Sequence, residues 1–209
     1  MKTNSIAFID QLLDRYEVLK QCKDGIIQSI EILVHVFSHG GKLLVCGNGG
    51  SAADSEHIVG ELMKGFVLPR KIDEKLIHRI NDRQLSDALQ SCLPAISLVS
   101  HSALSTAFSN DQLPSAVFAQ QVLGYGQKND ALLCLSTSGN SLNCVYAAKV
   151  AKALNLKVIS LTGEKKSELE AYSDVTIKVP ERETYKIQEL HLPIYHVICL
   201  VLENEFFGS

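Results

Sequence analysis

His57 and Glu61 stand four residues apart in the run from Lys42 to Gly65, KLLVCGNGGSAADSEHIVGELMKG. On a helix that spacing puts an imidazole and a carboxylate on one face. Such a pair can bind a metal or work as an acid and a base. It can also be a solvated pair beside an ordinary strand-to-helix turn. The run Ser136-Thr137-Ser138-Gly139-Asn140-Ser141 gathers four hydroxyls in six residues, directly before a predicted helix. Hydroxyls donate to phosphate oxygens, and a helix N-terminus offers free N–H groups to the same anion. The loop has no lysine and no GK[ST], so it suits a compact monophosphate better than a triphosphate. Its plain alternative is a serine-rich cap without a ligand. A third group, Gln188, His191 and His196, falls within one C-terminal stretch.

The elements that must position these residues alternate regularly. Leu43 to Cys46 reads as a buried strand, and Gly47-Asn48-Gly49-Gly50 permits a tight turn with positive φ or a close backbone approach. A helix begins at Ser51, with Asp54 in its first turn. Further strands are predicted at 95–99, 131–135, 156–161 and 175–179, with helices at 102–108, 114–123, 142–154 and 164–171. Ser109-Asn110-Asp111 reads as a polar turn. Ahead of the first strand, residues 5–20 and 25–38 carry apolar side chains at helical spacing; His35 and His39 follow that period as structural residues. The segment Phe66–Leu93 is charged and irregular, with a short helix near 82–91, and suits a lid or subunit contact. Two helices followed by repeated β-α units give an α/β fold: one domain over 1–209, a doubly wound five-stranded parallel sheet covered on both faces. Both polar loops fall at the carboxyl edge of that sheet, where such folds bind ligands.

Composition narrows the classes. The chain has 209 residues, 46% of them hydrophobic and 21% charged, with a net charge of -3. That balance offers no basic surface for nucleic acid. No apolar run approaches the roughly 20 residues of a membrane span. Asp10, Asp14 and Glu17 interrupt the N-terminal apolar stretch, which argues against a signal peptide. The six cysteines show no metal-finger spacing; Cys46, Cys134 and Cys199 sit in apolar runs as reduced core residues, which points to the cytoplasm.

On the last predicted helix, 184–206, Gln188 and His196 lie about 80° apart around the axis. They can reach one cavity without stacking. Geometry alone would favour His191, three residues from Gln188, and Pro193 should bend the helix locally.

CGNGGSAADSEH, STSGNS and KIQELHLPIYH together resemble the sugar isomerase (SIS) family, and within it the phosphoheptose isomerases, over nearly the whole chain. The resemblance implies an aldose–ketose isomerase acting on sedoheptulose 7-phosphate. It implies zinc held by His57, Glu61, Gln188 and His196, with Glu61 and His196 as base and acid. It implies substrate contacts at Asn48, Gly49, Gly50, Ser51, Asn110, Asp111, Ser136, Thr137, Ser138, Ser141 and Gln188. It also implies a homotetramer, and the apolar positions of the two leading helices exceed what one sheet face needs. The chain departs from the family at three places. Lys64-Gly65-Phe66 stands where a GR[YF] is expected, Tyr185 replaces a small or acidic residue, and residues 67–94 are longer than usual. A non-catalytic phosphosugar-binding or regulatory protein is the alternative; the complete Glu61 and His196 pair, and the lack of a DNA-binding segment in the chain, favour the enzyme.

Overall fold

In the computed structural model of the chain, residues 2–208 are described. The strands β1 (Leu43–Gly47) and β3 (Ala131–Leu135) are buried at every position. Unbroken Leu, Val and Cys runs require this, because helices cover both faces of the sheet. With β2 (Ala95–Ser97), β4 (Lys157–Thr162) and β5 (Val175–Lys178) they form one sheet in the order β2-β1-β3-β4-β5. Every neighbouring pair is parallel, and Cys46 stands opposite Cys134 in register. The chain leaves β1 toward β2 on one side and returns to β3 on the other. This reversal opens a crevice above the carboxyl ends of β1 and β3.

Helices α1 (Thr3–Arg15), α2 (Lys23–Ser38), α3 (Gly50–Met63) and α9 (Thr184–Phe207) cover one face of the sheet. Ile9, Leu12, Ile26, Ile30, Ile58 and Ile194 meet there in a shared core. Helices α7 (Val117–Tyr125) and α8 (Leu142–Ala153) cover the other face, with Phe118, Val122, Val145 and Ala148 buried beneath them. The first predicted helix ends at Arg15 and is followed by a 3-10 turn, Glu17–Cys22. The apolar faces of α1 and α2 close on this chain's own core, so their excess does not by itself call for a partner. The helix α9 continues through Pro193, which is buried inside it. No helix of the described residues is long and apolar enough to cross a membrane.

Three local expectations need correction. The helix expected at 164–171 is only a 3-10 turn, Leu169–Tyr172, following bends and irregular backbone at 164–168. Ser109-Asn110-Asp111 is the last turn of α6 (Ser102–Asp111), not a free turn. Nothing in those three side chains forbids helix, and the stop comes at Gln112, just ahead of Leu113, which Pro114 forces into extended backbone. The segment 66–93 holds two short helices, α4 (Glu74–Ile80) and α5 (Arg83–Ala88), in place of one. Asp73 and Asp82 cap them by accepting from the first-turn N–H groups. The base of this segment is strapped down: Gly65 N–H donates to Gln90, Ser91 N–H to the Arg70 carbonyl, and Leu93 N–H to the Leu62 carbonyl.

One buried ion pair joins that base to α9. The Glu203 carboxylate accepts from Arg70 Nε at 2.7 Å and from the backbone N–H groups of Phe66, Val67 and Leu68 at 2.8, 2.8 and 3.0 Å. The Arg70 guanidinium also donates to the Leu62 and Glu61 carbonyls, 2.7 and 3.0 Å away, at the end of α3. Both side chains are fully buried. Burial alone would raise the Glu203 pKa, but the three N–H groups and the guanidinium outweigh it and lower it. Glu203→Ala would leave the buried guanidinium and three backbone N–H groups without their acceptor. It should destabilise the fold by about 3–5 kcal/mol, read from urea unfolding midpoints at constant m-value. A change under about 1 kcal/mol would show that the clamp does not hold the fold.

Candidate active site

The crevice is built first from backbone. Asn48, just after β1, and Asn143, in the first turn of α8, exchange two amide hydrogen bonds of 2.9 and 2.8 Å. This ties the glycine turn to the serine-rich loop. Gly50 starts α3 directly against α9: a Cβ there would sit 2.8 Å from Gln188 Nε2. Gly139 has φ +64°, and a Cβ on it would meet Ser167 Oγ at 2.3 Å, so only glycine fits the bend of the loop. Within the loop Ser136 Oγ donates to Ser141 Oγ at 3.0 Å, and Asn140 N–H donates to Ser138 Oγ at 3.2 Å. Ser141 is the N-cap residue of α8 but makes no side-chain cap bond. A pocket of about 360 Å³ opens beside this loop, lined by Thr137, Ser138, Asn140, Lys165, Lys166 and Arg182 among others.

Further along the crevice, α3 and α9 bring side chains together. His57 Nε2 lies 3.1 Å from Glu61 Oε1, and His57 Nδ1 lies 3.0 Å from the Tyr195 hydroxyl. Tyr195 in turn donates to Asp54 Oδ1 at 3.1 Å. The His196 ring stands edge-on to that of His57, with centroids 5.1 Å apart, and Phe66 covers it at 5.6 Å. Glu61 Oε2 and His196 Nε2 are both buried without a hydrogen-bond partner in the protein. Burial, with His57 adding to it, lowers the pKa of His196, while the Glu61 charge opposes the shift. Burial and then the neighbouring Asp54 raise that of Tyr195 well above the ordinary phenol value.

The sequence-predicted residues therefore divide. His57, Glu61 and His196 are brought together. Asn48, Gly49, Gly50, Ser51 and Gln188 meet at the glycine turn, and Ser136, Thr137, Ser138 and Ser141 form the loop opposite. Gln188 stays beside Gly50, seven residues and roughly 10 Å along α3 from His57. Asn110 and Asp111 end α6 exposed, bonded to each other at 2.9 Å, and no hydrogen bond joins them to α3 or α9. Lys64 turns its ammonium to the Gly65 carbonyl, and Tyr185 is exposed beside Glu183. Among the described residues, no group of three or more His, Cys, Asp or Glu side chains already brackets a cation position. The donor types still fit zinc: two imidazoles and a carboxylate, with one oxygen of Glu61 and one nitrogen of His196 unpartnered.

Residues 7–163 match the SIS domain family. The phosphoheptose isomerase of Clostridium acetobutylicum is 38% identical over 184 residues, covering 88% of this chain and 84% of that protein. The chain belongs to the SIS domain family. Among solved structures, the phosphoheptose isomerase of Neisseria gonorrhoeae superimposes with a TM-score of 0.73 at 29% identity, covering 96% of this chain and 94% of that one. That of Francisella tularensis gives 0.73 at 30% identity, covering 93% and 97%. The all-parallel five-stranded sheet with helices around it is thus the SIS fold.

Two members of this SIS site escaped the sequence reading, Tyr195 and the Asp54 carboxylate that accepts its hydrogen bond. Helix phase held a signal for Tyr195: seven residues on from Gln188, it lies within about 20° of that residue around α9, closer than His196. His191 lies elsewhere, fully buried, with its Nε2 3.4 Å from the Thr162 carbonyl at the end of β4. Burial lowers its pKa to about 4. Below the unfolded value of about 6.5 the unfolded chain takes a proton that the folded chain refuses. Its share of stability is therefore complete above pH 6.5 and is lost as pH falls toward 4, by up to about 3 kcal/mol. His191→Gln should lose less stability than the parent between pH 6.5 and 4.5 in urea unfolding; equal losses would show that His191 is not the titrating group.

Proposed function

We propose that this SIS-domain chain is a phosphoheptose isomerase that interconverts sedoheptulose 7-phosphate and D-glycero-D-manno-heptose 7-phosphate. The observation that carries the proposal is the pair of buried, unpartnered atoms, Glu61 Oε2 and His196 Nε2, on the packed helices α3 and α9. Other buried polar atoms are bare too, Ser86, Ser97, His101, Gln121 and His191 among them, but Glu61 and His196 are of acid and base type and stand together on packed helices, where one reacting ligand can partner both. The similarity to phosphoheptose isomerases over most of both chains supports the choice of sugar.

The chemistry follows from the residues. A ketose becomes an aldose when a proton leaves C1, an enediol forms, and a proton returns at C2. Glu61 takes and returns the carbon-bound proton, and His196 exchanges the proton on the carbonyl oxygen. The loop Ser136–Ser141 holds the phosphate through Ser136, Thr137, Ser138 and Ser141, with the N-terminus of α8 behind it. With Glu164 paired to Arg182, Lys165 and Lys166 outnumber Glu181 in the lining of the adjoining pocket, a balance that favours an anion there. His57, Glu61 and His196, with Gln188 brought over from the glycine turn, would hold zinc. When bound, that ion would polarise the carbonyl and hydroxyl oxygens of the sugar.

A homotetramer belongs to the same proposal. A groove of about 470 Å³ between α1 and α9 is lined by Phe8, Leu12, Tyr16, Phe66 and Leu200 beside His196, all but the buried Leu12 partly accessible. A second copy of the chain seated there would shield the acid–base pair from water. Sedimentation that finds only single chains would remove this part. Six free cysteines suit a reducing compartment such as the cytoplasm.

Two experiments test the site. NMR of sedoheptulose 7-phosphate should show aldose formation with the parent protein and a rate about 10²–10⁴-fold lower with Glu61→Gln. Metal analysis of the same samples should find zinc, reduced in His57→Ala and His196→Ala but not in His191→Ala. Full turnover in metal-free protein would leave Glu61 and His196 as a plain acid–base pair. In calorimetry, Ser138→Ala with Ser141→Ala should weaken the phosphorylated sugar by about 1.5–3 kcal/mol per hydroxyl and leave the free sugar nearly unaffected. Equal losses for both would mean that the loop does not hold phosphate.

A further inference from the structure

Tyr195 sits at the centre of the polar cluster, 1% exposed. Its hydroxyl lies 3.1 Å from Asp54 Oδ1 and 3.0 Å from His57 Nδ1. A phenol has one proton to give and lone pairs to receive with. An ionised carboxylate only receives. The Tyr195 proton therefore goes to Asp54, and its oxygen faces His57 as an acceptor. The nitrogen that meets it, Nδ1, must carry a proton. Were Nδ1 bare, Tyr195 would have to turn its proton to the ring and leave its oxygen facing the Asp54 carboxylate with nothing between them.

The other ring nitrogen is then the acting one. Nε2 lies 3.1 Å from Glu61 Oε1. A lone pair and a carboxylate at that distance stay together only with a cation between them, a shared proton or a metal ion. We infer that Asp54 and Tyr195 form a positioning relay that fixes the proton of His57 on Nδ1, and so presents Nε2 to Glu61 and to the cation the two residues hold. The carboxylate of Asp54 thus acts on the site through a phenol and an imidazole, without touching the substrate. Outer-shell partners of this kind typically change metal affinity or activity 10–100-fold when removed.

Packing adds to the same effect. The Tyr195 ring stands edge-on to both imidazoles, with centroids 5.5 Å from His57 and 5.0 Å from His196 and interplanar angles of 79° and 83°. Tyr195→Phe keeps those contacts and removes only the hydroxyl, so its effect reports the relay and not the packing. The turnover consequence rests on the proposed isomerase reading; the proton position does not.

The test reads the His57 ring nitrogens by ¹⁵N NMR in the full-length protein, with Zn²⁺ titrations of the same samples. The parent should show His57 protonated on Nδ1. Tyr195→Phe should lose that preference. Asp54→Ala should free Tyr195 to donate to Nδ1 and move the proton to Nε2. Zn²⁺ affinity should fall about 10–100-fold in Tyr195→Phe at a nearly unchanged melting temperature. The kcat should fall by a similar factor with little change in KM, since the serine loop is untouched. A parent protein with Nδ1 bare, or a Tyr195→Phe variant with the parent's proton position, would overturn the relay. If the parent forms no aldose, the isomerase reading falls while the ring-nitrogen result still decides the relay. If it binds no Zn²⁺, the metal falls and the same spectra decide.

Discussion

The Glu203 carboxylate holds the geometry on which the site depends. It sits fully buried near the end of α9, with an arginine and three backbone N–H groups turned on it. Through Arg70 it reaches the carbonyls of Glu61 and Leu62, the last turn of α3. One carboxylate therefore fixes how far α3 and α9 slide past each other. Every close approach between those helices inherits that register, including Gly50 against Gln188, Asp54 and His57 against Tyr195, and His57 against His196. A buried ion pair contributes little net stability against apolar residues of the same shape, but its directional bonds allow only one alignment. Alignment is what an acid–base pair split between two helices requires.

The two halves of the crevice are built by different means. The phosphate half is largely backbone: a glycine turn, a loop bent at Gly139, and the opening of α8, joined by the Asn48 and Asn143 amides. Such a half is rigid once the sheet forms, because strands β1 and β3 are paired in register up to the residues that open the loops. The acid–base half is made of side chains on helices, so its precision depends on the neighbours that hold each rotamer. The strap at the base of 66–93 serves this half. It brings Phe66 over His196 and carries Arg70 into the clamp.

What could be read from the sequence follows the same division. The strands, the glycine turn and the serine loop were legible because each is a local pattern: an apolar run, then residues that only turns and caps favour. His57 and Glu61 were legible from one helical turn of spacing. The loop helices at 74–80 and 83–88 carried a signal in Asp73 and Asp82, which precede them as caps. Arg70 and Glu203 were not legible, because 133 residues separate them and nothing local marks either as buried. The fate of the α1 and α2 apolar faces was equally non-local: periodicity says a face is buried, not which surface buries it. His191 and His196 share a helix and differ by five residues, yet one faces β4 and the other α3. The phase of a helix around its axis decides between them, and that phase is set by the clamp and the core, not by the helix itself.

The bare atoms in the crevice complete the physical picture. An unpartnered buried donor or acceptor costs about 1–3 kcal/mol, and Glu61 Oε2 and His196 Nε2 both carry that cost. The same chain makes six hydrogen bonds around Glu203 and Arg70 a few residues away. Local violations of this kind, set against well-bonded surroundings, concentrate where a ligand supplies the missing partner. Tyr195 sharpens the contrast. Its hydroxyl uses its one proton and accepts another, leaving no slack on the Asp54 side of His57, while the Glu61 side stays open. His191 Nδ1, against β4, is bare as well but stands alone, whereas Glu61 and His196 stand together, where a single ligand can partner both.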